Sequence, residues 1–292
     1  MPPSAQPPVT PGDTGAPAGP SLAAGASISA SVDGVAARLR AAGCVFAEDE
    51  ARILLDSARD PAELAAMVAA RAGGDPLEHV VGWAEFCGLR IAVDRGVFVP
   101  RRRTELLVRE AAALGRTLAA GGEPVVVVDL CCGSGAVGAA LAAALGRTVL
   151  HAADVDPAAV ACAARNLGPA GGQVHQGDLF DALPARLRGT VGLLAANVPY
   201  VPTAAVGLLP SEARDHEAPV ALDGGPDGLD VMRRVAARAA RWLAPGGSLL
   251  VEAGERQART AARVLAAGGL TTRTATDDDL GATVLIGTRP RG

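Results

Sequence analysis

Asn197-Val198-Pro199-Tyr200 holds the only tyrosine of the 292-residue chain and one of its two asparagines. It follows Val191-Gly192-Leu193-Leu194-Ala195-Ala196, an apolar run with the length of a buried parallel strand. An amide at the carboxyl end of such a strand stands where open α/β sheets place their ligands. Pro199 fixes its own φ and restricts Val198, so the turn that carries the amide is stiff. A stiff amide beside an aromatic ring suits the grip of a flat, nitrogen-bearing group. A strand-to-loop turn with a chance tyrosine is the plainer reading.

A second group of residues has the spacing of a nucleoside site. After a run of valines comes Asp129-Leu130-Cys131-Cys132-Gly133-Ser134-Gly135-Ala136-Val137-Gly138. Its glycines allow close backbone approach, and the helix that follows offers free N–H groups. The Gly133-x-Gly135-x-x-Gly138 spacing also fits a dinucleotide fingerprint, so the glycines alone leave the cofactor open. Asp154, at the end of the next strand, is placed to accept both hydroxyls of a ribose. Asp129 distinguishes the cofactors. Its carboxylate would repel a pyrophosphate but suits an ammonium and a sulfonium, which favours S-adenosylmethionine over a nicotinamide. Asp178 and Leu179, in Gly177-Asp-Leu-Phe180, are candidates for the adenine amino group and ring face, with a helix cap as the plain alternative for Asp178.

Elements that can position these residues are legible in the same chain. Residues 1–28 are Pro, Ala, Gly, Ser and Thr with few large apolar side chains, which reads as a disordered tail. Residues 29–80 read as a small domain of three or four helices broken at Gly43, Pro61 and Gly73-Gly74. Residues 81–103 read as a linker β-hairpin, and 104–292 as alternating strands and helices. Seven strand-like runs are expected, near 125–130, 148–153, 174–176, 191–196, 248–253, 270–275 and 282–287. Helices are expected between the first five, and an antiparallel hairpin at the end, where the connection is short.

Composition excludes some functions. All 27 basic residues are arginine, the net charge is −4 and the pI about 5.6, so no global basic field draws nucleic acid. No apolar run approaches the roughly 20 residues of a membrane span, and no signal peptide is evident, so the expectation is a cytoplasmic protein, not membrane-bound. The five cysteines form no CxxC or zinc-like pattern with the four histidines, so neither metal nor disulfide is expected.

Asp129-Leu-Cys-Cys-Gly-Ser-Gly135, Asp154-Val-Asp-Pro157, Gly177-Asp-Leu-Phe180 and Asn197-Val-Pro-Tyr200 resemble the successive motifs of a class I methyltransferase. Glu85–Leu89, Phe98–Glu105, Ala221–Asp230 and Glu252–Gln257 resemble further motifs of the protein-glutamine N5-methyltransferases, the HemK/PrmC family, and the match runs in order from about 33 to 288. The resemblance implies an α/β fold, with a seven-stranded mostly parallel sheet, helices on both faces and a small N-terminal helical domain that grips the substrate. It implies a monomeric enzyme that moves a methyl from S-adenosylmethionine to a glutamine side chain in a protein, the Gly-Gly-Gln loop of a release factor. Asn197, Val198, Pro199 and Tyr200 would act on the acceptor. Asp129, Cys131, Cys132, Gly133, Ser134, Gly135, Asp154, Asp178, Leu179 and Asn197 would line the cofactor.

Two segments depart from the family pattern. Val198 replaces the first proline of Asn-Pro-Pro-Tyr, which keeps the carbonyl and loses rigidity. Arg102 and Arg103 replace a proline and an acid near the site mouth, as a solvated helix start or as contacts to an acidic or RNA-bearing partner. Both mark a divergent member. The Asp223–Gly228 loop reads as a lid or a plain connection, and Glu252 as a structural carboxylate. The alternatives are a nucleic-acid adenine N6-methyltransferase, a nicotinamide oxidoreductase and a non-catalytic S-adenosylmethionine-binding module.

Overall fold

The computed structural model describes residues 31–291, so the expected N-terminal tail lies outside the described residues. The chain begins with four helices, α1 (Val32–Ala41), α2 (Ala47–Ser57), α3 (Pro61–Ala72) and α4 (Leu77–Val81). Asp60 caps α3 by accepting the Glu63 N–H at 2.8 Å, and Pro61 occupies the first turn, where its missing donor costs nothing. Val35, Leu39, Leu54, Leu64 and Val68 close a separate small core. Arg71 of α3 is buried in it and donates twice to Glu50, at 2.7 and 3.0 Å.

Strands β1 (Trp83–Phe86) and β2 (Leu89–Ala92) pair antiparallel around Cys87-Gly88. The hairpin is shorter than expected, because the chain turns at residues 94–97, where Gly96 forms an isolated bridge with Glu217. Asn166 fastens it to the large domain. Its Oδ1 accepts from the Ala92 N–H, and its Nδ2 donates to the carbonyls of Ala92 and Ser134, all within 2.8–2.9 Å.

The large domain then runs α5 (Glu105–Ala119), β3 (Val125–Leu130), α6 (Ala136–Leu145), β4 (Thr148–Asp154), α7 (Pro157–Leu167), β5 (Gln173–Gln176) and β6 (Val191–Ala196). Three short helices follow: α8 (Thr203–Val206), α9 (Ser211–His216) and α10 (Pro219–Leu222). The chain ends with α11 (Asp230–Trp242), β7 (Leu243–Glu252), α12 (Ala258–Ala267), β8 (Thr271–Asp277) and β9 (Ala282–Thr288). One expected helix is missing: β5 and β6 are joined only by 3₁₀ turns at Leu179–Ala182 and Ala185–Leu187. Pro184 and Gly189 punctuate a link too short to hold a helix of normal length.

The seven strands lie in the order β5-β4-β3-β6-β7-β9-β8, all parallel except β9, which runs antiparallel to both neighbours. Strand order reverses between β3 and β6, so their carboxyl ends open a crevice. Register fixes what meets there. Leu130 pairs with both Ala153 and Ala196, and Ala196 pairs with Val251. Cys131, Asp154, Asn197 and Glu252 are each one residue further on and emerge side by side at one sheet edge.

One face of the sheet buries Met232, Val235, Ala239 and Trp242 of α11, with Phe180 stacked on Trp242 at 5.3 Å between centroids. The other face buries Leu106, Leu107 and Ala111 of α5 and Leu141 of α6. These apolar stripes recur at helical spacing, which is why the helices dock where they do. No helix of the described residues is long and apolar enough to cross a membrane.

Candidate active site

A cavity of about 590 Å³ opens at the strand ends. Its inner half is built by the loop from β3 to α6. Cys131 and Gly133 take positive φ angles of 53° each, which turns the chain sharply back toward α6. Asp154 ties this loop down, as its Oδ2 accepts the Gly133 N–H at 2.9 Å and its Oδ1 the Asp156 N–H at 3.0 Å. Asp129 is 1% exposed and accepts the Gly138 N–H at 2.9 Å, binding strand to helix beneath the loop. Burial pushes the Asp129 carboxyl up to about 8, against the pull of the Gly138 N–H and with help from the nearby Asp154 charge. Burial also raises the thiols of Cys131 and Cys132, which favours their neutral form.

Of the residues expected around a cofactor, Asp129, Cys131, Cys132, Gly133, Ser134, Asp154, Asp178, Leu179 and Asn197 all line the cavity. Gly135 does not. It faces α7, where an added Cβ would lie 3.1 Å from both Ala163 Cβ and Leu167 Cγ, so its lack of a side chain serves helix packing. Asp178 is exposed and ion-paired with Arg234 of α11, so its carboxylate already has a cationic partner at the cavity rim.

The outer half is built around the turn after β6. Val198 and Pro199 are buried, and Asn197 and Tyr200 half-buried, with all four on the cavity wall. Asn197 Nδ2 donates to Thr104 Oγ1 at 3.4 Å, while its Oδ1 is buried with no partner among the described residues. Such an orphan acceptor costs on the order of 1–3 kcal/mol unless a ligand completes it. Tyr200 donates its hydroxyl to Glu252 Oε1 at 2.7 Å, and burial, reinforced by that carboxylate, raises the phenol well above its ordinary value.

Sequence reasoning missed Thr104, while Glu252, expected as a structural carboxylate, lies buried at the end of β7. Thr104 donates to Glu252 Oε2 at 2.6 Å, and Arg103 Nε forms an ion pair with Glu252 Oε1 at 3.0 Å. Arg103 also stands over the Tyr200 ring, its guanidinium carbon 5.6 Å from the centroid. Both divergent arginines are exposed, and Arg103 is the one that reaches Glu252 and Tyr200.

The Asp223–Gly228 loop is a buttress and not a lid. Gly224 donates to the Val201 carbonyl at 2.9 Å, Thr203 donates to the Gly225 carbonyl at 2.9 Å, and Gln257 Nε2 donates to the carbonyls of Tyr200 and Asp227 at 3.0 and 2.8 Å. A Cβ on Gly228 would fall 2.2 Å from the Tyr200 oxygen. Its glycines permit close contact with the turn that carries Tyr200.

The segment carrying α8, α9 and α10 forms the outer wall, with Leu209, Pro210 and Val220 on the cavity. It is tied to the helical domain through Arg71–Glu212 at 2.7 Å, and to the linker where Ala218 donates to the Gly96 carbonyl at 3.3 Å. Arg101 pairs with the buried Glu217 of the same segment.

The family model for the methyltransferase small domain matches residues 91–199. A release factor glutamine methyltransferase from Geobacter sulfurreducens is 40% identical over 210 residues, covering 70% of this chain and 71% of the relative. One from Bradyrhizobium diazoefficiens is 34% identical over 264 residues, covering 84% and 89%. A 4-amino-L-phenylalanine/4-methylamino-L-phenylalanine methyltransferase from Streptomyces pristinaespiralis is 40% identical over 186 residues, covering 63% and 62%.

Proposed function

Because the chain belongs to the release factor glutamine methyltransferase family and is an S-adenosylmethionine-dependent enzyme, we propose that it methylates the side-chain amide nitrogen of a glutamine in the Gly-Gly-Gln loop of a peptide-chain release factor. The observation that carries this reading is the buried, unpartnered Asn197 Oδ1 at the end of β6. The residues present fit the cofactor. Gly133 offers a Cβ-free loop, Asp154 a carboxylate at the end of β4 with lone pairs left for a ribose, and Asp129 a buried acid for a cationic group. When bound, S-adenosylmethionine supplies an electrophilic methyl group on a sulfonium centre.

The work of the chain's own residues is positional. An amide nitrogen is a poor nucleophile, because its lone pair is delocalised into its carbonyl. Asn197 Oδ1 and the Val198 carbonyl provide two acceptors for the two N–H bonds of the substrate amide. Held so, the nitrogen can pyramidalise with its lone pair toward the methyl, and the acceptors bind it more strongly as positive charge grows there. Tyr200, fixed through Glu252, presents a ring beside the amide plane. The helical domain and linker grip the release factor, acting through the α8–α10 wall that Arg71 holds. The enzyme works as a cytoplasmic monomer.

The test is transfer of labelled methyl to a purified release factor by wild-type protein and Asn197→Ala. Transfer lost in the variant, with S-adenosylmethionine affinity kept within a few-fold, is the expected result. Transfer to 4-amino-phenylalanine and none to the release factor would move the acceptor to a small amine and overturn the substrate assignment.

A further inference from the structure

Glu252 binds no motif residue of the cofactor loop, yet both ends of the catalytic turn lead to it. Thr104 and Glu252 are each 2% exposed, so water is not a partner of consequence for either. A carboxylate only accepts, so at 2.6 Å the Thr104 hydroxyl proton must point to Glu252 Oε2. Its one proton spent, Thr104 Oγ1 presents a lone pair to Asn197. Only the Nδ2 end of the amide can satisfy that lone pair, and it lies there at 3.4 Å. The Oδ1 end is thereby left as the unpartnered acceptor of a residue that lines the cavity. The flipped amide would set two acceptors against each other at Thr104 and two donors against a substrate N–H. The other Glu252 oxygen accepts the Tyr200 hydroxyl at 2.7 Å and is ion-paired with Arg103 at 3.0 Å, which holds the carboxylate in place.

We infer that Glu252 is a positioning residue for methyl transfer, which sets, through the Thr104 hydroxyl, the end of the Asn197 amide that faces the acceptor nitrogen. The inference rests on the reading of Asn197 as the clamp on the substrate amide. It also gives Arg103 a role. Where the family pattern has an acid, this chain has a cation that neutralises Glu252 and covers Tyr200.

The chain has two asparagines, Asn166 and Asn197, so their side-chain amide signals are few enough to follow by ¹⁵N–¹H correlation. Thr104→Val keeps the shape and removes the hydroxyl, and Thr104→Ser keeps the hydroxyl. In Thr104→Val the Asn197 NH₂ pair should shift and exchange faster with water. Its kcat should fall about 10- to 100-fold, with the Kd for S-adenosylmethionine within about threefold of wild type. Thr104→Ser should restore both signals and kcat to within about threefold, and Glu252→Gln should lower kcat at least about tenfold without changing cofactor affinity. Unmoved Asn197 signals in Thr104→Val, or a kcat within about twofold of wild type, would overturn the inference. The amide signals do not depend on the substrate: if they respond as expected while wild type leaves the release factor unmethylated, the relay stands and the substrate assignment falls.

Discussion

Replacing Asp129 by asparagine separates what this carboxyl does for folding from what it does for binding. Asparagine keeps an oxygen for the Gly138 N–H, now at 2.9 Å, and cannot ionise. In the folded wild-type protein the acid is raised from 3.8 to about 8 by burial. A carboxyl with a raised folded pKa holds its proton more tightly folded than unfolded, so stability is highest at low pH and falls as pH climbs from about 4 to about 8. Each unit in that window costs about 1.4 kcal/mol, and roughly three units lie between the unfolded value and pH 7, a ceiling on the order of 4 kcal/mol. Relaxation of the turn lowers this, and Asp129→Asn should be more stable than wild type by about 2–4 kcal/mol at pH 7. Urea unfolding of both ligand-free proteins at pH 5 and pH 8 reads it directly, with the gap between them widening toward pH 8. The variant should also bind S-adenosylmethionine at least about tenfold more weakly, since asparagine cannot give up a proton to meet the cofactor's positive charge. A stability difference independent of pH would refute the reasoning, as would unchanged cofactor affinity.

Gly228→Ala forces a Cβ against the Tyr200 oxygen at a φ of +76°, and should lower kcat by at least about tenfold and stability by about 2 kcal/mol in thermal unfolding. Phe180→Ala removes a ring that is 1% exposed and stacked on Trp242, and should cost about 3–5 kcal/mol in urea unfolding while leaving Asn197 in place. Arg71→Ala leaves Glu50 buried without its partner and should destabilise the helical domain by about 3–5 kcal/mol, read by hydrogen exchange in α1–α3. It also frees Glu212, so KM for the release factor should rise more than kcat falls.

The motifs legible in the sequence are those whose logic is local. Asp129, Gly133, Asp154 and Asn197 sit at strand ends that an apolar run announces, and the alternation of strands and helices places them on one edge. Thr104 was not legible, because its partner Glu252 lies 148 residues away and its role arises only when β7 is laid beside β6. The pairing of Asp178 with Arg234 was not legible for the same reason, since the partner lies 56 residues on. The glycines of residues 223–228 suggested mobility by composition, whereas the carbonyls of Pro199 and Tyr200 approach so closely that no side chain fits. The packing of Gly135 against α7 was not legible either, since a glycine beside a ligand loop and one beneath a helix look alike in sequence.

The most direct test of the account is tandem mass spectrometry of a release factor incubated with this protein and S-adenosylmethionine. The account predicts one added methyl, localised to the side-chain amide nitrogen of the Gly-Gly-Gln glutamine and absent with Asn197→Ala. A methyl on another residue, or none while cofactor binding is intact, would contradict it.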